Sequence, residues 1–178
     1  MKNSLLLTAL IVALSFVSCK KDNANPAIPN TPRTDVPASL QGTWMNGNFS
    51  LIDYWSQDPE EYLGNGIELA FAFKFNADGT YEQYFTGKTV IGTVVTYHQS
   101  VTKGTVEINE TTKAIITHPN SSHYKRTENG TTKEDRDMNM DELEDDSYTY
   151  ETGTELNGTK ALYMTLEDTD EPLKFLKQ

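Results

Sequence analysis

Apolar residues alternate with polar or small ones along most of the chain beyond Leu40. The clearest run is 67–75. Ile67, Leu69, Phe71, Phe73 and Phe75 hold the odd positions there, and Glu68, Ala70, Ala72 and Lys74 the even ones. A period of two sends successive side chains to opposite faces of a sheet, so this run predicts a strand with its large residues on one face. Asn76-Ala77-Asp78-Gly79 supplies turn chemistry, because Gly accepts positive φ and Asn and Asp tolerate it. Residues 80–85 then predict the return strand of a hairpin.

Further strands are predicted at 43–52, 90–101, 104–109, 113–118, 122–127, 147–152 and 160–166, with one more at 173–176. Turns are expected at 109–112, at Pro119-Asn120, at Asn129-Gly130 and at Asn157-Gly158, the last a strong hairpin dipeptide. Helix is scarce. Asp58-Pro59-Glu60-Glu61 reads as an N-cap, a first-turn proline and two acids near the positive end of the helix dipole. It opens only a turn or two, since Gly64 and Gly66 follow. Many short strands with one short helix predict an all-β fold: a single antiparallel up-and-down barrel of about 8–10 strands, with a β-sandwich as the alternative.

The first forty residues follow a different pattern. Lys2 precedes an apolar run from Leu5 to Val17, shorter than the roughly 20 residues that span a bilayer. That describes a secretory signal peptide. Phe16-Val17-Ser18-Cys19 resembles the lipobox of bacterial lipoproteins, and Cys19 is the only cysteine of the chain. The resemblance implies cleavage after residue 18, acylation of Cys19 and attachment to a membrane through the acyl chains. Two or more chains anchor a protein stably where one does not. Ser18-Cys19-Lys20-Lys21-Asp22 also looks like the start of many Bacteroidetes lipoproteins. Four of the seven prolines then fall between residues 22 and 38. Proline-rich polar chain is extended, so 19–38 is expected to be the lipidated Cys and a disordered tether, and 39–178 the barrel domain.

Three phrases of the domain carry a second resemblance. Gly42-Thr43-Trp44 matches the Gly-x-Trp signature near the start of lipocalins and their calycin relatives. Phe73-Lys74-Phe75-Asn76-Ala77-Asp78-Gly79-Thr80-Tyr81 looks like a hairpin of bacterial lipocalin-like lipoprotein domains, and Gly104-Thr105-Val106-Glu107-Ile108 is similar to the strand that often follows it. The resemblance implies a lipocalin-like barrel closed at one end by Gly42 and Trp44. It also implies a small apolar or amphipathic ligand lined by Ile67, Leu69, Phe71, Phe73, Phe75, Tyr81 and Phe85. Lipocalins place a late Arg across that Trp. No Arg follows Arg136 here, and Lys160, Lys174 and Lys177 are the available cations.

Charge narrows the partners. The 178 residues carry 15 Lys and Arg against 26 Asp and Glu, a net charge of −11. An acidic surface repels phosphates, so no nucleic-acid partner is expected. Eight of the thirteen residues 134–146 are acidic. Asp135, Asp137, Asn139 and Asp141 alternate as the first ligands of an EF-hand do, but Met140 stands at the sixth place, which needs Gly, and no Glu ends the loop. A solvated acidic loop is the plainer reading. His98, His118 and His123 have no spacing that demands a zinc site. There is no nucleophile elbow, phosphate loop or dinucleotide fingerprint, so no enzymatic activity and no cofactor are expected. The expectation is a monomeric lipid-anchored protein of the bacterial cell envelope, held at the outer membrane and facing the periplasm or the surface. Its function is ligand binding; the alternative is a solid barrel that binds a protein or glycan through its loops.

Overall fold

The computed structural model describes residues 31–63 and 69–178. Cys19 and Ile67 lie outside them. The described chain is all-β. In order it forms β1 (Gly42–Asn46), α1 (Pro59–Leu63), β2 (Leu69–Phe75), β3 (Thr80–Ile91), β4 (Val94–Asn109), β5 (Ala114–Glu128), β6 (Thr131–Asp137), β7 (Asp146–Thr154), β8 (Lys160–Leu166) and β9 (Leu173–Lys177). A single 3-10 turn at Met140–Glu142 precedes β7.

From β1 to β6 and again from β7 to β9 each strand pairs antiparallel with the next, β7 pairs with β5, and β1 pairs with both β2 and β9, so the meander closes into a barrel. Strand β5 is shared. Its first residues, Ala114 to Thr117, pair with β7. Its last, His123 to Glu128, pair with β6, which flanks the ring rather than entering it.

The period of two in β2 does what the sequence asks. Phe71, Phe73 and Phe75 point into the barrel with Trp44, Tyr81 and Leu162, while Ala70 and Ala72 face outward. The small outward residues matter equally. They let residues 47–63 lie against the outer wall, where Phe49, Tyr54, Tyr62 and Leu63 form a second apolar core. Beneath that cover Tyr54 and Tyr62 both reach Thr86 Oγ1 at 2.9 Å, and Gln99 donates to Tyr62 Oη at 3.2 Å, while Tyr97 Oη in the same core is buried with no hydrogen-bond partner among the described residues.

Five expectations are corrected. The strand expected at 43–52 ends at Asn46, because Gly47 turns away at φ +109°. The strands expected at 90–101 and 104–109 are one, Val94–Asn109, and β3 runs on to Ile91, making a long hairpin. Pro119-Asn120 is no turn: Gly104 pairs with Pro119 and Lys103 with Ser121, so Asn120 is the extra residue of a bulge inside β5. The acidic loop expected at 134–146 is strand through Asp137. Lastly, residues 31–38 of the expected tether are built into the domain. Thr34 N–H donates to Val106 O at 3.0 Å, Val36 N–H to Ala77 O at 3.1 Å, and Val36 is buried. Residues 31–38 therefore belong to the domain expected to begin at residue 39. Both cores are made of residues from Val36 to Phe175, so a chain starting at residue 20 keeps every contact described.

A Cβ on Gly104 would run into the His118 carbonyl across the bulge. Gly92, at the β3–β4 tip with φ +62°, has nothing within 4 Å. In urea unfolding, Gly104→Ala is expected to cost about 3 kcal/mol, the upper end of ordinary single substitutions, and Gly92→Ala only about 1 kcal/mol. Equal losses would contradict the bulge geometry.

Candidate functional site

One end of the barrel is a floor. Trp44 is almost fully buried, and its indole N–H donates to Leu40 O at 2.6 Å. Leu40 and Val36 close the space beneath it. Above it Phe73 stacks on Phe75 with centroids 5.5 Å apart and meets Phe175 edge-on at 5.6 Å.

The cation beside the tryptophan comes from the last strand. Trp44 is the register partner of Lys177, whose Nζ sits 4.5 Å from the indole centroid and donates to Gln41 O. Burial holds the Lys177 ammonium below its ordinary pKa. Gly42 is favoured by its backbone conformation. Its φ is +94°, and a Cβ there would lie 3.1 Å from Lys177 Nζ. Of Lys160, Lys174 and Lys177, Lys177 is the one that lies over the indole.

The other end is open. A cavity of about 260 Å³ lies among Phe71, Phe73, Met164, Leu173 and Phe175, with Tyr148 at its side. A second, more open cleft of about 300 Å³ shares Phe71 and reaches Tyr81, Gln83 and Phe85. Phe71 and Phe85 touch at 4.9 Å between the two strands that carry them. Of the residues expected to line a ligand, Phe71 and Phe73 line the cavity, and Phe71, Tyr81 and Phe85 the cleft. Phe75 is packed into the floor, and Leu69, paired with Gly87 further out, lines neither. Tyr54, Trp55 and Tyr97 belong to the outer wall.

Sequence reasoning missed the C-terminal half of the lining: Tyr148, Met164, Leu173 and Phe175. The alternation of Leu162 with Met164 and of Leu173 with Phe175 carries the signal, in strands too short to stand out.

The acidic stretch forms the remaining wall. Met138 N–H donates to Ser122 O at 2.8 Å, and Arg136 grips Glu142 through two nitrogens at 2.8 and 2.6 Å. That pairing and the Asn139 N–H hold the Glu142 carboxyl down to about 2. His118 bridges Asp145 at 2.7 Å and Glu107 at 3.1 Å. Segment 138–146 is thus fastened across the mouth, and Met138, Leu143 and Asp146 face the cleft.

The calcium-like set does not converge. Asp135 and Asp137 both bind the His123 ring at 2.8 Å, Asn139 caps the 3-10 turn and Asp141 lies within it. Nor do the histidines meet, since His98 pairs with Tyr124 Oη at 2.6 Å. No group of three or more His, Cys, Asp or Glu among the described residues is placed to hold a metal ion.

No protein-family model, no curated protein and no solved structure matches this chain.

His123 ties β5 to β6 and packs edge-on against Trp55 of the outer cover at 5.1 Å. The Asp137 carboxylate, then Asp135, raises its pKa above the ordinary value. With the folded value raised, the stabilisation is complete below the unfolded value near 6.5 and is lost as pH rises through the folded one. Proton NMR is expected to show His123 titrating above that reference, and Asp137→Asn to bring it down. An unshifted His123 would mean that the two carboxylates do not hold it in solution.

Proposed function

We propose that this chain is a lipid-anchored cell-envelope lipoprotein whose non-enzymatic, lipocalin-like barrel holds a small apolar or amphipathic molecule in its open end. The single observation that carries the reading is the asymmetry of the barrel interior. One end is plugged by Leu40, Trp44 and Phe75, while the other keeps an apolar cavity of about 260 Å³ that opens past Phe71. Eight-stranded rings are just wide enough either to be filled or to hold one small ligand, and a cavity edged by aromatic rings favours the second. The indole under a basic side chain, beside a Gly at positive φ, supports the likeness to lipocalins. The lipobox at Cys19 supports the anchor, with the domain carried at the bacterial outer membrane on acyl chains.

A second reading is a surface module that captures a protein or glycan. One observation favours it: the β3–β4 hairpin ends in Val90, Ile91 and Val94, which are 59%, 80% and 39% exposed.

Native mass spectrometry of residues 20–178, exported to a bacterial periplasm, tests the choice before and after organic extraction. The carrier reading expects an added small mass that extraction removes and that Phe71→Ala diminishes. A bare polypeptide mass in both samples would turn the assignment to the surface module.

A further inference from the structure

The carrier reading leaves open which amphiphile the mouth accepts, and the charges at the mouth bear on it. The deep cavity is apolar, with Thr169 and Glu171 as its outer polar residues. The adjoining cleft has Tyr81, Gln83 and Phe85 on one side and Glu142, Glu144 and Asp146 on the other. Among the described residues, no Lys or Arg lines either space. The arginines on the neighbouring strands are already engaged. Arg126 pairs with Glu128 and Glu134, and Arg136 with Glu142 and Glu134.

Asp146 lines the cleft and is linked to the deep cavity through Tyr148. It opens β7 and is half-buried at the edge of the cleft. Its Oδ2 accepts from Tyr148 Oη at 3.2 Å, and the Tyr148 ring lines the deep cavity. Burial, with Glu144 and Asp145 close by, pushes its carboxyl above the ordinary range. Carboxylates crowded at an apolar opening are costly to ionise, and an incoming cation relieves that cost where an anion would add to it. The net charge of −11 acts in the same direction at longer range.

Resting on the carrier reading, we propose that the barrel selects amphiphiles with a positive headgroup: the hydrocarbon part lies against Phe71, Phe73 and Leu173, and the cation sits beside Asp146. The apolar cavity supplies the affinity and the carboxylates choose the sign. A fatty acid, with the same tail, is rejected by its head.

Calorimetric titration of residues 20–178 at low ionic strength tests this with three probes of equal tail, each below its micelle concentration: decyltrimethylammonium, decanoate and decanol. The ammonium probe is expected to bind at least tenfold more tightly than decanoate, with the gap narrowing as salt is added. Asp146→Asn is expected to weaken the ammonium probe about five- to tenfold and to leave decanol unchanged. Should that variant unfold, Glu144→Gln, an exposed neighbour, is expected to weaken the same probe about twofold. Decanoate binding as tightly as the ammonium probe would overturn charge selection while leaving the carrier reading intact. Heat from none of the three would overturn both. Selectivity that survives both substitutions would remove Asp146 as the partner of the cation.

Discussion

The structure depends on the pairing of its first strand with its last. β1 and β9 meet over only two register pairs, Trp44 with Lys177 and Met45 with Leu176, extended by a bond from Gln178 N–H to Thr43 O at 3.0 Å. Without it the sheet would be an open ribbon with two exposed edges, and there would be no interior to fill or leave empty. The pairing also places the Lys177 ammonium over the indole that plugs the floor. An ammonium over an aromatic face is worth about 0.5–2 kcal/mol, most when water is excluded, and Trp44 is buried. Lysine lacks the flat stacking of arginine. Here its Nζ finds a second partner in the Gln41 carbonyl, in the space Gly42 leaves open.

Closure assigns each face of β2 its task. Inward, the phenylalanines divide by depth. Phe75 is floor, Phe73 is the boundary, and Phe71 is wall to both open spaces. Outward, Ala70 and Ala72 admit the 47–63 cover, so that the strand is sandwiched between two cores. A rigid wall follows from this double packing, and a rigid wall is what keeps a cavity from collapsing.

The sequence made β2 and the turns at 76–79, Asn129-Gly130 and Asn157-Gly158 legible because each is set by neighbours in the chain, whereas Gly42 and Trp44 are singled out only by a resemblance. Alternation fixed Phe71, Phe73 and Phe75 on one face, and Asn129-Gly130 and Asn157-Gly158 do turn with positive φ at Gly. The rest depends on contacts between distant residues. Gly104 and Pro119 look like strand ends in one dimension, yet they are the two sides of one bulge where the backbones come close. Val36 belongs to a proline-rich stretch with no apolar periodicity, and the folded barrel offers it a place to be buried. β6 reads as a charge run because it flanks the ring, and its charges are paired across to His123 and Arg126 of β5. The half of the cavity contributed by Met164, Leu173 and Phe175 exists only once the last strand has returned to the first.

The central claim is that the barrel is solid below Phe73 and hollow above it. Xenon-pressurised crystals of residues 20–178 test that directly, since dry apolar cavities of this size take up xenon. Xenon density is expected between Phe71, Met164 and Leu173, with none beside Trp44. An unoccupied mouth filled by shifted side chains, or xenon lodged beneath Trp44, would contradict the account.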